Sequence, residues 1–466
     1  MIFCTRFFTN YYSAIFVVGI VTLSAVGCSL GRQSSAPDPV EPAPAVETGR
    51  AEPAAARRSR PTPHTEPAPA RYGDARAEYL DRLVATMSLE EKVGQLLALE
   101  LASPATGQAL TRLDEPTEAL FREVRPGGVA LYGSNITNVT QLTTFIDELQ
   151  ATAEIPLLVA IDEEGGLVSR LRHLGAGAAT VLPPARDLGS TGDALLAYRA
   201  GRALGRELRA LGFNMNFAPV LDVAPPEGNP FLESRAYGAD PELVARLGTA
   251  FLRGLQTHGV AAAVKHFPGH GSAVEDSHYG PATVSASRAE LERVHWVPFR
   301  RAVAAGTDAV MVAHLAVPAL TGTRRPASVA EEVVRGAARE ELGFDGIVIS
   351  DSVTMGGLEQ MLEGKNAAVS VVEAGADIVL TPPDAREAHD ALLAAVQQGV
   401  LTEERIDASV RRVLRVKLDR GILIPDEPAF SRRFRHVRDL APEDVLAAPE
   451  HRRLVETIRR RAAASP

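Results

Sequence analysis

The stretch Leu157-Leu-Val-Ala-Ile-Asp162 is a short apolar run that ends on a carboxylate, and its pattern recurs along the chain. Eight apolar runs can be placed, at residues 94–100, 128–132, 157–162, 214–220, 261–266, 309–313, 346–350 and 377–381. Continuous apolar runs of this length are typical of parallel strands that are buried on both faces.

Segments with a helical pattern lie between these runs, at residues 139–152, 195–210, 241–257, 287–305, 329–342 and 385–398. Alternating strands and helices indicate an α/β fold with a parallel sheet. Eight units predict that the sheet closes into a single (β/α)8 barrel of the TIM type. We place this barrel at residues 75–425, with a helix start at the capping box formed by Ser88 and Glu91.

The overall composition is that of an ordinary globular protein. The 466 residues are 45% hydrophobic and 23% charged, and the formal net charge is -9. Nucleic-acid binding normally needs a basic surface that neutralises phosphates, so this charge gives no reason to expect a nucleic-acid partner.

The N-terminal region reads as a leader followed by a tether. The mostly apolar run at residues 14–27 is shorter than the roughly 20 residues that cross a bilayer, which indicates a signal peptide. It ends Ser24-Ala-Val-Gly-Cys28, which resembles a bacterial lipoprotein signal with acylated Cys28, although Ala25 replaces the usual Leu. An ordinary secretory signal is the alternative. We assign residues 1–28 to the lipoprotein signal with its acylated Cys28. Cys4, the only other cysteine, would be removed with the part of the signal that precedes Cys28, so we expect Cys28 to have no disulfide partner.

The two segments that flank the predicted barrel are of biased composition. Residues 29–74 are rich in Pro and Ala and too poor in apolar bulk to form a core, which predicts an extended tether. Residues 426–466 form a short Arg-rich tail, which we interpret as a helix that is solvated or packed on the barrel. A basic surface for a partner is the second interpretation of this tail.

Polar residues follow several of the apolar runs, where a barrel collects its functional groups. They are Asp162, Lys265 with His266, His314, and Asp351. The densest motif is Lys265-His-Phe-Pro-Gly-His-Gly271, followed by Asp276-Ser-His278. A carboxylate two residues from an imidazole can orient it and raise its pKa toward working pH, which suits proton transfer. Metal binding and a purely structural role for these histidines are the two alternatives.

Asp351 is the candidate nucleophile. A carboxylate fixed at a strand end can attack an anomeric carbon when a second group protonates the leaving oxygen. Asp162 and Arg170 supply a carboxylate and a guanidinium group for sugar hydroxyls, although each alone is equally consistent with an ordinary ion pair.

From about residue 79 to about residue 423 the chain resembles the β-N-acetylglucosaminidases of glycoside hydrolase family 3, chiefly through the Lys265–Gly271 motif and Asp276-Ser-His278. The resemblance implies that Asp351 is the nucleophile and that His278 and Asp276 are the acid/base pair. It implies substrate contacts at Asp162, Arg170, Arg235, Lys265 and His266. The wider family takes its acid/base glutamate from a second domain, for which this sequence has no room. Leu167 and Ser352-Val353 depart from the family pattern, which leaves the fine specificity open.

These observations predict a retaining exo-β-N-acetylhexosaminidase that acts on peptidoglycan fragments or chitin-like oligosaccharides. We expect it to be a monomer that needs no cofactor or metal and that is lipid-anchored in a bacterial cell envelope. Three alternatives remain: a phosphorylase, a transglycosylase, and a non-catalytic glycan-binding lipoprotein.

Overall fold

The computed structural model describes residues 71–103, 106–224, 229–273, 282–355, 358, 360–362, 364–425 and 440–465. The predicted leader, Cys28 and nearly all of the predicted tether lie outside the described residues, as do Asp276, His278 and the first part of the Arg-rich tail.

Ten strands are present in the described residues. They are β1 (Leu97–Glu100), β2 (Gly128–Leu131), β3 (Leu158–Ile161), β4 (Met215–Asn216), β5 (Ala261–Phe267), β6 (Ala282–Thr283), β7 (Ala309–Val312), β8 (Leu315–Ala316), β9 (Ile347–Ser352) and β10 (Ile378–Leu380). Eight of them form a closed parallel barrel in the order β1-β10-β9-β7-β5-β4-β3-β2, and each coincides with one predicted apolar run. The predicted (β/α)8 barrel is therefore confirmed. The remaining two, β6 and β8, pair with each other outside the barrel.

Helices surround the barrel. The main ones are Arg71–Ala85, Leu89–Gly94, Glu115–Val124, Val139–Thr152, Ala185–Thr191, Ala194–Leu211, Pro241–Gln256, Trp296–Ala304, Ala367–Ala374, Ala385–Gln397, Glu403–Asp419 and Pro449–Ala464. Short helices span Arg288–Glu290, Pro318–Thr321 and Pro442–Val445. The segments Leu291–His295 and Glu332–Glu341 are π-helical, a departure from the regular helices predicted at 287–305 and 329–342. Among the described helices, none is both long and apolar enough to cross a membrane.

The barrel interior is a separate apolar cluster built from alternate strand residues. It includes Ala98, Ala130, Ala160, Ala263 and Ile349, because every second side chain of a strand points to the same face. Small side chains are frequent in this cluster, and it lies within the ring of strands. The helix Glu403–Asp419 adds Val413 and Val416 to the same cluster, so this helix packs against the interior of the barrel.

The C-terminal helix Pro449–Ala464 packs against the helices Ala185–Thr191 and Ala194–Leu211. One buried carboxylate fixes it: Glu207 accepts hydrogen bonds from the His451 Nδ1 atom at 2.6 Å and from the Ala447 backbone N–H at 3.0 Å. Glu207 also accepts from the Thr180 N–H at 2.8 Å. A fully buried carboxylate needs such donors, so this contact specifies where the C-terminal helix lies.

Candidate active site

The top layer of the barrel interior is polar. Five polar residues each follow one of the interior residues by two positions, so the alternation of a strand directs them to the same interior face. They are Glu100, Tyr132, Asp162, Lys265 and Asp351. Their proximity shows at Tyr132, whose pKa is raised by burial and further by the negative charges of Glu100, Asp162 and Asp351. The sequence thus places an apolar floor beneath a ring of charged and polar side chains at the carboxyl ends of the strands.

Lys265 is the centre of an ionic cluster in this layer. Its Nζ atom lies 2.5 Å from Asp162 Oδ1 and 2.7 Å from Glu164 Oε1. Arg235 binds the same Glu164 carboxylate through two N–H groups, Nε at 2.9 Å and Nη2 at 2.7 Å. The side chains of Lys265 and Glu164 are only 3% and 5% exposed, so this pair is neutralised away from water, whereas Asp162 stays partly exposed.

The pKa shifts in the cluster follow from this pairing. Burial acts to raise the pKa of Glu164, but the charges of Lys265 and Arg235 outweigh burial and hold this pKa below its usual range. Burial likewise acts to lower the pKa of Lys265, and the charges of Asp162 and Glu164 raise it above the usual value. Glu164 and Lys265 therefore both stay charged, and Lys265 serves as a fixed cation, not as a proton acceptor.

The loop after β3 carries Arg170 back toward Asp162. Gly165 and Gly166 have φ values of 86° and 56°, a backbone conformation that favours glycine, and they form the turn. The buried Glu163 carboxylate closes the loop by accepting the backbone N–H groups of Arg170 at 2.6 Å and Leu171 at 3.0 Å. The Arg170 Nη2 atom then lies 3.5 Å from Asp162 Oδ2, and both side chains remain partly exposed.

His266 is oriented by Asp222, a residue that follows β4. The His266 Nδ1 atom lies 2.7 Å from Asp222 Oδ2, and the backbone N–H of His270 donates to Asp222 Oδ1 at 2.7 Å. Because a carboxylate only accepts hydrogen bonds, the proton of the His266 ring is assigned to Nδ1. The other ring nitrogen, Nε2, lies 3.4 Å from Arg235 Nη2. Burial acts to raise the pKa of Asp222, but His266 outweighs it and keeps the pKa low.

Two consecutive residues, Lys265 and His266, reach the same group of charges. Successive side chains of a regular strand point to opposite faces. The pairing of β5 with β7 shifts register between Val264 and Phe267, and such an irregularity re-aims side chains. The resulting arrangement joins the two halves of the site through Arg235, which contacts both Glu164 and His266.

An aromatic wall supports this side of the site. The guanidinium carbon of Arg235 lies 4.3 Å from the centre of the Phe231 ring. Phe231 also stacks on His270 with ring centres 4.4 Å apart. Burial lowers the pKa of His270 to about 4, so this imidazole is neutral near pH 7 and acts as a packing partner.

Asp351 ends the barrel interior face of β9 and is half-buried. Its Oδ1 atom accepts the backbone N–H of Ser352 at 2.9 Å. The buried His314 contacts the backbone carbonyl of Ser352, the residue after Asp351, with Nε2 at 2.9 Å from that oxygen. The other ring nitrogen of His314, Nδ1, lies 2.7 Å from Ser328 Oγ. His314 therefore positions the backbone that carries Asp351, a role distinct from substrate contact.

The predicted acid/base pair Asp276 and His278 falls within residues 274–281, outside the described residues. The residues that border this segment are held together by hydrogen bonds. Ala273 pairs with Val284 in an antiparallel bridge, and the Asn229 side-chain amide donates to the Ala273 carbonyl at 2.6 Å. Both ends of this segment thus start from one point close to the β5 end of the barrel.

The structure brings together five residues that the sequence singled out, namely Asp162, Arg170, Arg235, Lys265 and His266. Asp351 lies in the same layer. Sequence reasoning missed Glu164, Asp222, Glu100 and Tyr132. Glu100 and Tyr132 had a usable signal, because they stand two residues beyond interior alanines, whereas the roles of Glu164 and Asp222 depend on contacts between distant segments.

Within the described ranges, no group of three or more His, Cys, Asp or Glu side chains is arranged to hold a metal ion. His266 and His270, two of the ligands in the alternative metal interpretation, instead contact Asp222.

Comparison with known proteins gives consistent matches. Residues 88–416 match the family model described as "Glycosyl hydrolase family 3 N terminal domain". The chain is 33% identical to a "Beta-N-acetylglucosaminidase/beta-glucosidase" of Cellulomonas fimi over 82% of this chain and 65% of that protein. It is 30% identical to "Beta-hexosaminidase A" of Pseudoalteromonas piscicida over 66% of this chain and 56% of that protein.

A solved structure is similar as well. A family 3 β-N-acetylglucosaminidase from Paenibacillus sp. str. FPU-7 superposes with a TM-score of 0.72 at 41% identity, covering 81% of this chain and 69% of that one. The chain spans less than two thirds of the length of the two curated relatives above, so their additional segments have no counterpart in this match.

Proposed function

The chain belongs to glycosyl hydrolase family 3, and on that basis we propose that it is a retaining exo-β-N-acetylhexosaminidase. Its substrates would be glycans that end in β-linked N-acetylglucosamine, such as peptidoglycan fragments or chitin-like oligosaccharides. The observation that carries the proposal is the polar layer in which Asp351 and the Lys265 cluster share one end of the barrel. The activities for which these relatives are named support the same substrate class.

The cluster suits the recognition of sugar hydroxyls. A hydroxyl both donates and accepts a hydrogen bond, and Lys265 beside Asp162 offers a donor and an acceptor at adjacent positions. Arg170 and Asp162 remain partly exposed and therefore accessible to a ligand. Because these groups are already paired and oriented, little side-chain freedom is lost when the sugar binds.

The proposed reaction has two steps. The Asp351 carboxylate attacks the anomeric carbon and forms a glycosyl ester while the bond to the leaving oxygen breaks, and His278 gives that oxygen its proton. Water then attacks the same carbon, His278 takes the proton from the water, and the Asp351 carboxylate is released. Two displacements at one carbon give net retention. Asp276 would orient His278 and favour its charged form before the first step, in which His278 donates its proton.

We also propose that the protein is a monomer in a bacterial cell envelope, held there by a lipid on Cys28. The support is the leader, whose apolar run at residues 14–27 ends on small residues and a cysteine. Cell fractionation compares the native chain with Cys28→Ser. Release of the Cys28→Ser protein from the membrane fraction is the expected result, and equal membrane content in both would contradict the anchor.

The test of the activity is the release of 4-nitrophenol by the full chain. The N-acetyl-β-glucosaminide and the β-glucoside are compared, because the Cellulomonas fimi relative is named for both activities. We expect faster turnover of the N-acetyl substrate, insensitivity to EDTA, and no stimulation by phosphate. Formation of a sugar phosphate would indicate a phosphorylase instead.

The variant Asp351→Asn separates catalysis from binding. We expect turnover to fall by roughly 10⁴-fold, as for other removed nucleophiles, with sugar binding retained. Asp345→Asn is the matched control, since Asp345 precedes the same strand and pairs with Arg415 at its opposite end. Unchanged turnover in Asp351→Asn would overturn the mechanism, and absence of turnover with intact sugar binding in the native chain would favour a glycan-binding protein.

A further inference from the structure

A basic groove of about 450 Å³ lies between the helix Ala194–Leu211 and the C-terminal helix Pro449–Ala464. Its wall includes four arginines, Arg199, Arg202, Arg206 and Arg453, and a single carboxylate, Glu450. None of the polar residues of the candidate active site contributes to it. A volume of this size lies within the range of pockets that hold small ligands, roughly 300–1,000 Å³.

The arginines converge because of their spacing. Arg199, Arg202 and Arg206 stand at positions i, i+3 and i+7 of one helix, which places them on one face. Arg453 and Thr457 stand four residues apart on the opposing helix. The buried Leu196 and Ala203 form an apolar floor beneath them.

Most of this positive charge has no protein counterpart. Arg206 Nη1 lies 3.2 Å from Glu450 Oε1, which accounts for the one carboxylate in the wall. Throughout the part of the chain that the structure describes, no carboxylate lies within ion-pair distance of Arg199, Arg202 or Arg453. By contrast, other surface arginines do find partners, for example Arg461 with Asp193 at 2.6 Å. Exposed like charges that line one groove repel each other, and a bound anion relieves this repulsion.

From these contacts we infer that the groove is a binding site for a phosphate group, on a free phosphate compound or on a lipid headgroup. Guanidinium groups present planar pairs of N–H donors that match phosphate oxygens. A phosphate monoester carries up to two negative charges and three acceptor oxygens, whereas a carboxylate carries one charge and two oxygens. Three unneutralised guanidinium groups therefore fit a phosphate group better than a carboxylate. This site is independent of the proposed glycosidase activity.

The test is calorimetric titration of the full chain at constant ionic strength. One arm uses inorganic pyrophosphate, and the other uses dihexanoyl phosphatidic acid, a lipid phosphate monoester, below its micellar concentration. The groove variant is Arg199→Gln/Arg202→Gln/Arg453→Gln. Its matched control is Arg452→Gln/Arg459→Gln/Arg460→Gln, which removes three charges from exposed positions of the C-terminal helix that do not line the groove. Far-ultraviolet circular dichroism verifies that both variants are folded.

We expect the native chain and the control to bind equally, and the groove variant to bind at least about tenfold more weakly, since each lost charge-assisted hydrogen bond changes affinity by about that factor. Binding of pyrophosphate alone would identify a soluble phosphate ligand, and binding of the phospholipid alone would identify a headgroup. Equal weakening in both triple variants, or no binding of either probe to the native chain, would overturn the inference.

Discussion

The Lys265 ammonium group lies 2.7 Å from the Glu164 carboxylate, and both side chains are almost fully withdrawn from water. Removing the cation leaves Glu164 with Arg235 alone and Asp162 with the more distant Arg170. Breaking a buried ion pair from one side is costly because a charge is left without its partner.

We therefore predict that Lys265→Met lowers both activity and stability. The expected loss of unfolding free energy is about 3–5 kcal/mol, by denaturant titration, with a fall in kcat/KM of at least about 100-fold. Lys92→Met is the control, because Lys92 is also buried and pairs with Glu403 and Asp407 away from the site. A comparable loss of kcat/KM in folded Lys92→Met would mean that the effect of Lys265 is structural.

Asp222→Asn should weaken substrate binding through His266. The asparagine side chain would have one acceptor oxygen and an NH2 group that only donates, so the variant cannot accept from both the His266 ring and the His270 backbone N–H as the two carboxylate oxygens do. We expect kcat/KM to fall by roughly 10–100-fold, the effect of one lost charge-assisted hydrogen bond. Steady-state kinetics measures this, and an unchanged KM together with an unchanged kcat would contradict the orienting role.

The proposed acid/base pair predicts a dependence on the leaving group. His278→Ala should slow the hydrolysis of chitobiose by about 10²–10⁴-fold, because its leaving oxygen needs a proton. The 4-nitrophenyl substrate should be slowed far less in the first step, since nitrophenolate leaves without protonation. Asp276→Asn should also slow the hydrolysis of chitobiose more than that of the 4-nitrophenyl substrate, but by a smaller factor. Equal slowing of both substrates would exclude His278 as the acid.

Glu163 makes stability depend on pH. Burial raises the pKa of this carboxyl to about 7, above its usual value near 4.5. The folded state holds the proton more tightly than the unfolded state, so the stabilisation is complete below pH 4.5 and is lost as the pH rises through about 7. Glu163→Gln should remove a decline of about 3 kcal/mol over this range, measured by urea titration at several pH values. The exposed Glu115→Gln should leave the decline intact, and an unchanged decline in Glu163→Gln would contradict the assignment.

Lys417 gives the opposite dependence at higher pH. Burial lowers the pKa of its ammonium group to about 7, and its Nζ atom donates to Gln95 Oε1 at 2.7 Å. Stability should therefore rise as the pH increases from about 7 toward the unfolded value of 10.5. Lys417→Met should be more stable near pH 6 by about 3 kcal/mol, after allowing for the lost hydrogen bond, and should lack this rise. A less stable Lys417→Met would show that the hydrogen bond outweighs the desolvation of the charge.

The fold could be predicted because parallel strands buried on both faces leave apolar runs that the sequence displays directly. The run before Asp162 and the run before Lys265 each became a barrel strand. The strands β6 and β8 have two residues each and are too short to show a period. The π-helical segments were predicted as regular helices, because the change to i→i+5 hydrogen bonds over so few residues has no distinct sequence signal.

The site could be predicted only as far as strand ends reveal it. Lys265 follows its apolar run directly, whereas Glu164 is one of three consecutive acidic residues, Asp162 to Glu164, and sequence alone cannot say which of them turns toward Lys265. Asp222 binds His266, a residue 44 positions later, and this contact exists only because β4 and β5 are neighbours in the barrel. The geometry of loops and the order of strands, not local pattern, decide such partners.

The helix Glu403–Asp419, whose Val413 and Val416 join the interior cluster, has a kinetic consequence for the proposed enzyme. Among the described residues, these side chains fill the end of the barrel opposite Asp351, so we expect substrate to enter and products to leave at the carboxyl ends of the strands. The released glycan must then leave this end of the barrel before a water molecule can reach the glycosyl ester. Free N-acetylglucosamine, the last product to depart, should consequently compete with substrate for entry and slow the enzyme as it accumulates.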